Sequence, residues 1–179
     1  MATFNQSEKI SRQLFANEEA SVFAVLDGAS ASGLLDKLYG LQPEFECLYR
    51  GEIEPDIAYV APYLVRLDAD SEFARWTISQ GWGRHWGIFV TSSEDFRALR
   101  RHLRMFLVVY DADGRPLRFR YYDPRVLRTY LPTCTTGELS TIFGPVSSYI
   151  AEATDPHTML RFSVNSGALL TKELSLKGA

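Results

Sequence analysis

With 179 residues, 46% of them hydrophobic, the chain can bury roughly 70% of its unfolded surface and build its own core, as one domain or a domain with a small appendage. No apolar run approaches the length of about 20 residues that spans a bilayer, and no basic region followed by an apolar stretch opens the chain; a soluble, unexported protein is expected. The net charge of −3 is unevenly spread: residues 1–83 hold 6 basic and 13 acidic side chains, whereas residues 84–128 hold 10 and 5, and all ten of those basic residues are arginine. Arginine suits planar, paired contacts better than a diffuse lysine field does, so these side chains either pair with the acidic N-terminal half or stay available to a partner.

In chain order, the apolar run 22–26 ends at Asp27-Gly28, and Leu34, Leu35 and Leu38 recur at helical spacing up to Gly40, giving strand, turn and helix. Residues 47–49 suit a short strand and 63–67 a firmer one after Pro62. Ser71 caps a helix that carries Phe73 and Trp76 toward the core and stops at Gly81. The carboxylates between Glu44 and Asp56 fall in an irregular segment with no partner base at a recognisable spacing, and read as solvated loop charges. Residues 86–91 read as a strand, after which Ser92 introduces a helix with an apolar stripe of Phe96, Leu99 and Leu103. Its other side carries Arg97, Arg101 and Arg104 at spacings of four and three, with Glu94 placed to pair with Arg97.

The stretch 104–134 joins the most specific signals. The nearly unbroken apolar run 105–110 predicts a strand covered on both sides, and Asp113-Gly114 supplies the backbone angles of a tight hairpin. In the return strand Leu117, Phe119 and Tyr121 fall on one face and Arg118, Arg120 and Tyr122 on the other. Asp123 can accept from the free amides of a first helical turn and Pro124 needs no donor there, so a helix starts at Pro124 and ends near Pro132. Thr135 and Glu138 have capping-box spacing and open a further short helix that ends near Gly144-Pro145. Residues 158–164 are left to an edge strand or to packing on the body, and the last five, SLKGA, read as a frayed end. The fold class expected is α/β: a mixed sheet with a β-hairpin and flanking helices, a body over 1–134, and a small C-terminal helical or irregular appendage over 135–179.

Chemical motifs are scarce. His85, His102 and His157 lie on different elements, none at a spacing that aims two imidazoles at one metal. Cys47 and Cys134 lack CxxC spacing and are too few for a disulfide framework; buried thiols in a reducing compartment, and hence the cytoplasm, are expected. There is no GxSxG elbow, phosphate loop or GxGxxG turn, and the tryptophans of WGRHWG at 82–87 read as core. No cofactor or metal is expected. A net acidic chain with no lysine in its basic segment also argues against nucleic acid. Arginines and aromatic rings without catalytic groups favour protein recognition.

The ordered fragments FAVLDGA (23–29), CLYRGE (47–52), APYLVRLD (61–68), WG (86–87), LRRHLRMFLVV (99–109) and FRYYDPRVLRTYLPTC (119–134) together resemble the type VI secretion effector adaptor family, long catalogued as a domain of unknown function. The resemblance runs from about residue 20 to about 145. It implies a bacterial cytoplasmic chaperone or adaptor, not an enzyme, that binds an effector protein and loads it onto the secretion spike protein, with no nucleic acid, membrane or metal involved. YDPRVLR carries over to residues 122–128 and HLR to 102–104. The candidate partner contacts are Arg118, Arg120, Tyr122, Arg125 and Arg128, the last two being three apart on one helix face. The alternative expectation is a small-molecule or nucleotide-binding α/β enzyme without recognisable motifs.

Overall fold

A computed structural model describes residues 2–177. The elements in chain order begin with α1 (Phe4–Leu14), β1 (Ser21–Asp27), α2 (Leu34–Leu41), β2 (Phe45–Cys47), α3 (Pro55–Ala58), β3 (Pro62–Leu67), α4 (Glu72–Trp76) and β4 (Gly87–Ser92). They continue with α5 (Phe96–Leu103), β5 (Val108–Tyr110), β6 (Pro116–Arg118), α6 (Pro124–Tyr130), α7 (Thr136–Phe143), β7 (Val146–Glu152), β8 (Thr158–Asn165) and β9 (Ala168–Ser175). The class is α/β, as expected.

Among the described residues, seven strands form one sheet in the order β2-β3-β1-β4-β7-β8-β9, and β5 pairs with β6 in a separate hairpin. Every pairing is antiparallel. β1 is buried from Val22 to its last residue because it is hydrogen-bonded on both edges and covered on both faces. Strand alternation divides the core. Val22, Ala24 and Leu26 face Ile10 and Leu14 of α1, Leu34 and Leu38 of α2 and Phe73 of α4. Phe23 and Val25 face Leu99 and Leu103 of α5, Leu127 of α6 and Leu139 and Ile142 of α7. Helices therefore sandwich the sheet, each large apolar side chain so buried contributing about 1.5–3 kcal/mol.

Local chemistry sets the helix starts. The Ser71 hydroxyl accepts the Ala74 N–H at 3.1 Å, Asp123 caps α6 with Pro124 in its first turn, and Thr135 and Glu138 form the full capping box of α7. α5 is capped by Asp95, which accepts the Ala98 N–H at 2.7 Å. Ser92, expected to introduce that helix, instead donates to Pro145 O at 2.7 Å.

Further expectations are corrected. The sheet is not mixed: although helices alternate with strands along the chain, each strand runs against its neighbour, so alternation alone did not fix strand direction. Residues 104–107 tighten into a 3₁₀ turn at the end of α5 and only 108–110 form a strand, which is exposed throughout. A short apolar run satisfies either period, and here the helical one wins because it inserts Phe106 edge-on between His102 and Tyr121, at centroid distances of 5.0 and 6.1 Å. The C-terminal stretch is mainly strand and not a helical or irregular appendage: β7 pairs with β4, β8 pairs with β7, and β9 is the sheet's outer strand. The expected frayed end is partly fixed, since Leu176 is buried and its N–H donates to His157 O at 2.8 Å; the remainder of that expectation, Gly178 and Ala179, lies outside the described residues.

Candidate functional site

β1 ends at Asp27, whose carboxylate turns back on the chain: Oδ1 accepts the Ala29 N–H at 3.1 Å and Oδ2 the Ser30 hydroxyl at 2.8 Å. The next residue, Gly28, lies so close to the chain entering β3 that a Cβ would stand 2.6 Å from Tyr59 O and 2.7 Å from Ala61 O. This approach holds the segment carrying α3 against the end of the sheet. Opposite it stands the β5–β6 hairpin, closed by a turn in which Asp111 Oδ1 accepts the N–H groups of Asp113 and Arg115, with Gly114 at φ 76° as the Asp-Gly pair predicts. Between the two is a cleft of about 610 Å³.

The root of the hairpin is fixed by aromatic packing. Phe119 lies 4.8 Å from the Tyr130 ring, and the buried Tyr121 donates its hydroxyl to Leu103 O at 3.0 Å. The hairpin itself buries nothing: all six residues of β5 and β6 are exposed, including Val108, Val109, Tyr110 and Leu117. Across the cleft Ile57, Tyr59 and Val60 are exposed as well. An apolar surface of this kind, rimmed by charge, is characteristic of an interaction site.

The five candidate contacts divide. Arg118, Arg120 and Tyr122 line the cleft. Arg118 lies over the Tyr49 ring, 5.6 Å from its centroid, and donates to the Tyr49 hydroxyl at 3.4 Å. Arg120 is ion-paired with the buried carboxylate of Asp27; burial opposes its charge, but Asp27 outweighs burial and holds its pKa above the ordinary value. Tyr122 is buried, and burial first, then the charge of Asp27, keeps its phenol protonated well beyond the ordinary range. Arg125 and Arg128 lie outside the cleft. Arg125 folds onto its own helix cap, donating through Nε at 3.0 Å and Nη2 at 2.6 Å to Asp123, and Arg128 donates to Glu152 O at 3.3 Å.

Asp27, Tyr49, Arg50 and Arg104 also line the cleft, and sequence reasoning did not single them out as site residues. The one available signal was Ile57 and Val60, apolar residues with no core periodicity in an otherwise acidic segment. Arg104 Nη2 donates to Tyr49 O at 2.8 Å, and Arg100 donates to Cys47 O through Nε at 3.1 Å and Nη2 at 2.8 Å. Two guanidinium groups thus cover carbonyls at β2, where the sheet would otherwise present a raw edge. Arg100 also pairs with Glu46 of the acidic half at 3.2 Å, as Arg120 does with Asp27, while within that half Arg66 pairs with Glu44 at 3.5 Å.

The histidines and Cys134 do not converge. His102 Nε2 bonds Ile142 O at 2.9 Å, His85 contacts Glu152, and Cys134 Sγ lies 3.6 Å from Tyr130 O. Among the described residues no three His, Cys, Asp or Glu side chains gather as a metal-binding group, and no helix is long and apolar enough to cross a membrane.

The model of the family described as "Domain of unknown function (DUF4123)" matches residues 22–141. That span contains β1 from Val22 onward, the hairpin and every residue lining the cleft. No curated protein and no solved structure matches the chain.

Proposed function

The chain belongs to the DUF4123 family, and from that premise we propose that it is a non-enzymatic adaptor or chaperone, which binds a type VI secretion effector in the bacterial cytoplasm and helps load it onto the secretion spike protein. The observation that carries this reading is the hairpin, where Val108, Val109, Tyr110 and Leu117 remain between 37% and 70% exposed beside arginine side chains. Aromatic, aliphatic and arginine residues standing together outside a core are the anchors of protein interfaces. The fragments that resemble the effector adaptor family support the same reading, since they supply β1, the 47–52 segment, the root of the hairpin and the start of α6.

The test is co-expression with the effector encoded beside this chain and with the spike protein, followed by affinity capture. Wild type is expected to retain the effector and to form a ternary complex in size-exclusion chromatography. The Tyr110→Ser/Leu117→Ser double variant is expected to lose the effector while keeping its circular dichroism spectrum. A wild-type chain that retains no effector overturns the proposal.

The cleft itself favours one rival, a small-molecule or nucleotide-binding α/β enzyme, because about 610 Å³ falls within the range of roughly 300–1,000 Å³ usual for ligand sites. A thermal-shift screen against nucleotides and metabolites separates the two: the adaptor responds to polypeptide alone, and the enzyme to a small ligand.

A further inference from the structure

We infer that the cleft takes a polypeptide segment that is acidic as well as apolar; this rests on the adaptor reading and specifies the chemistry of the cargo it would hold. The cleft is lined by four guanidinium groups, those of Arg50, Arg104, Arg118 and Arg120, and by one carboxylate, that of Asp27. Asp27 is already committed to Arg120. Among the described residues no carboxylate is ion-paired with Arg50, Arg104 or Arg118. A chain of net charge −3 therefore carries a locally positive cleft, and the complementary occupant is an anion.

Arg104 shows the same imbalance at a single residue. Its Nε is buried with no hydrogen-bond partner among the described residues. Burial first, then repulsion from Arg100 and Arg50, lowers its pKa from the ordinary value. A carboxylate brought to this part of the cleft relieves that repulsion.

The rest of the lining rules out a simple anion as the full complement. Leu48, Ile57, Val60, Leu107, Val108 and Phe119 give the cleft a largely apolar wall, and the apolar surface runs on to Tyr59, Tyr110 and Leu117 outside it. A small acid would leave that surface in water. An oligonucleotide would meet aliphatic walls, and Arg118 already lies over the Tyr49 ring. Apolar side chains flanked by Asp or Glu on one segment match both halves of the lining.

The experiment is selection of a phage-displayed library of random dodecapeptides on the full chain, with the Arg50→Glu/Arg118→Glu double variant as counter-target. Both positions are exposed, and thermal melting checks that the variant is folded. Selected peptides are expected to combine Leu, Ile or Phe with Asp or Glu, to bind wild type about tenfold more tightly than the variant, and to weaken as salt is raised. Val108→Asp, which alters the apolar wall and leaves the arginines in place, is expected to weaken the same peptides. Selection of neutral or basic peptides, equal binding by wild type and the double variant, or displacement of every peptide by inorganic phosphate alone overturns the inference. The two proposals fail separately: an effector retained equally by wild type and the double variant removes the acidic segment and spares the adaptor, whereas no retained effector removes the adaptor itself.

Discussion

Arg120 and Asp27, 93 positions apart in the chain, meet as an ion pair that joins the end of β1 to the segment leaving the hairpin. The carboxylate is buried and the guanidinium close to half exposed, so the two ends of the pair are not equivalent. Removing the arginine leaves a buried charge with only the Ala29 N–H and the Ser30 hydroxyl. Arg120→Ala is expected to cost about 2–3 kcal/mol and Asp27→Asn, which keeps the local turn, about 1 kcal/mol. Urea unfolding of both variants checks the order, and a neutral Arg120→Ala would show that the pair does not hold the cleft together.

His102 sets a pH dependence. Burial lowers its pKa, only partly offset by the bond to Ile142 O, so the folded state prefers the neutral ring. A group whose folded pKa is depressed contributes stability that is present above its unfolded value and lost as pH falls through the folded one. Thermal stability should therefore drop as the pH falls from about 6.5 into the acid range, and His102→Gln should flatten that drop. Melting curves across the range decide it.

Gly28 is required by space. Gly28→Ala drives a methyl group into the carbonyl oxygens of Tyr59 and Ala61, and should cost about 2 kcal/mol by pushing the segment that carries α3 off the sheet. Capture of cargo should fall with it. Unfolding midpoint and capture measured on the same preparation test whether the two move together.

The C-terminal strands lie wholly beyond the family match yet complete the sheet. A chain cut after residue 143 loses β7, which pairs with β4 from Phe89 to Ser92 and brings Ser148 within 2.7 Å of Thr91. The exposed β4 edge is expected to drive aggregation. Light scattering of the truncated chain beside the full one reads this out; a monodisperse fragment would show that 1–143 is self-sufficient.

The elements that carry their own local chemistry were legible in the sequence. The apolar run of β1, the Ser71 cap, the Asp123-Pro124 helix start and the Thr135–Glu138 box each depend on neighbours a few residues away. α1, β7 and β9 left little trace. α1 buries three residues in an otherwise polar helix, β7 opens Val-Ser-Ser, and β9 is an edge strand whose ALLTKELS lacks the apolar-polar alternation that marks a strand. The cleft was legible only in part, because it is assembled from the end of β1, the α3 segment and the hairpin, which no spacing rule connects. Arg118, Arg120 and Tyr122 were reachable as one strand-like face next to the Asp-Gly turn. Arg125 was drawn instead into a bond two residues long, since its guanidinium reaches the cap of its own helix.

The hairpin has one further consequence. Since none of its strand residues contributes to either half of the core, most substitutions there leave the packing of the sandwich untouched. Drift at those positions is therefore decoupled from folding, so the protruding finger can be rewritten to suit a new client while the sandwich beneath it stays as it is.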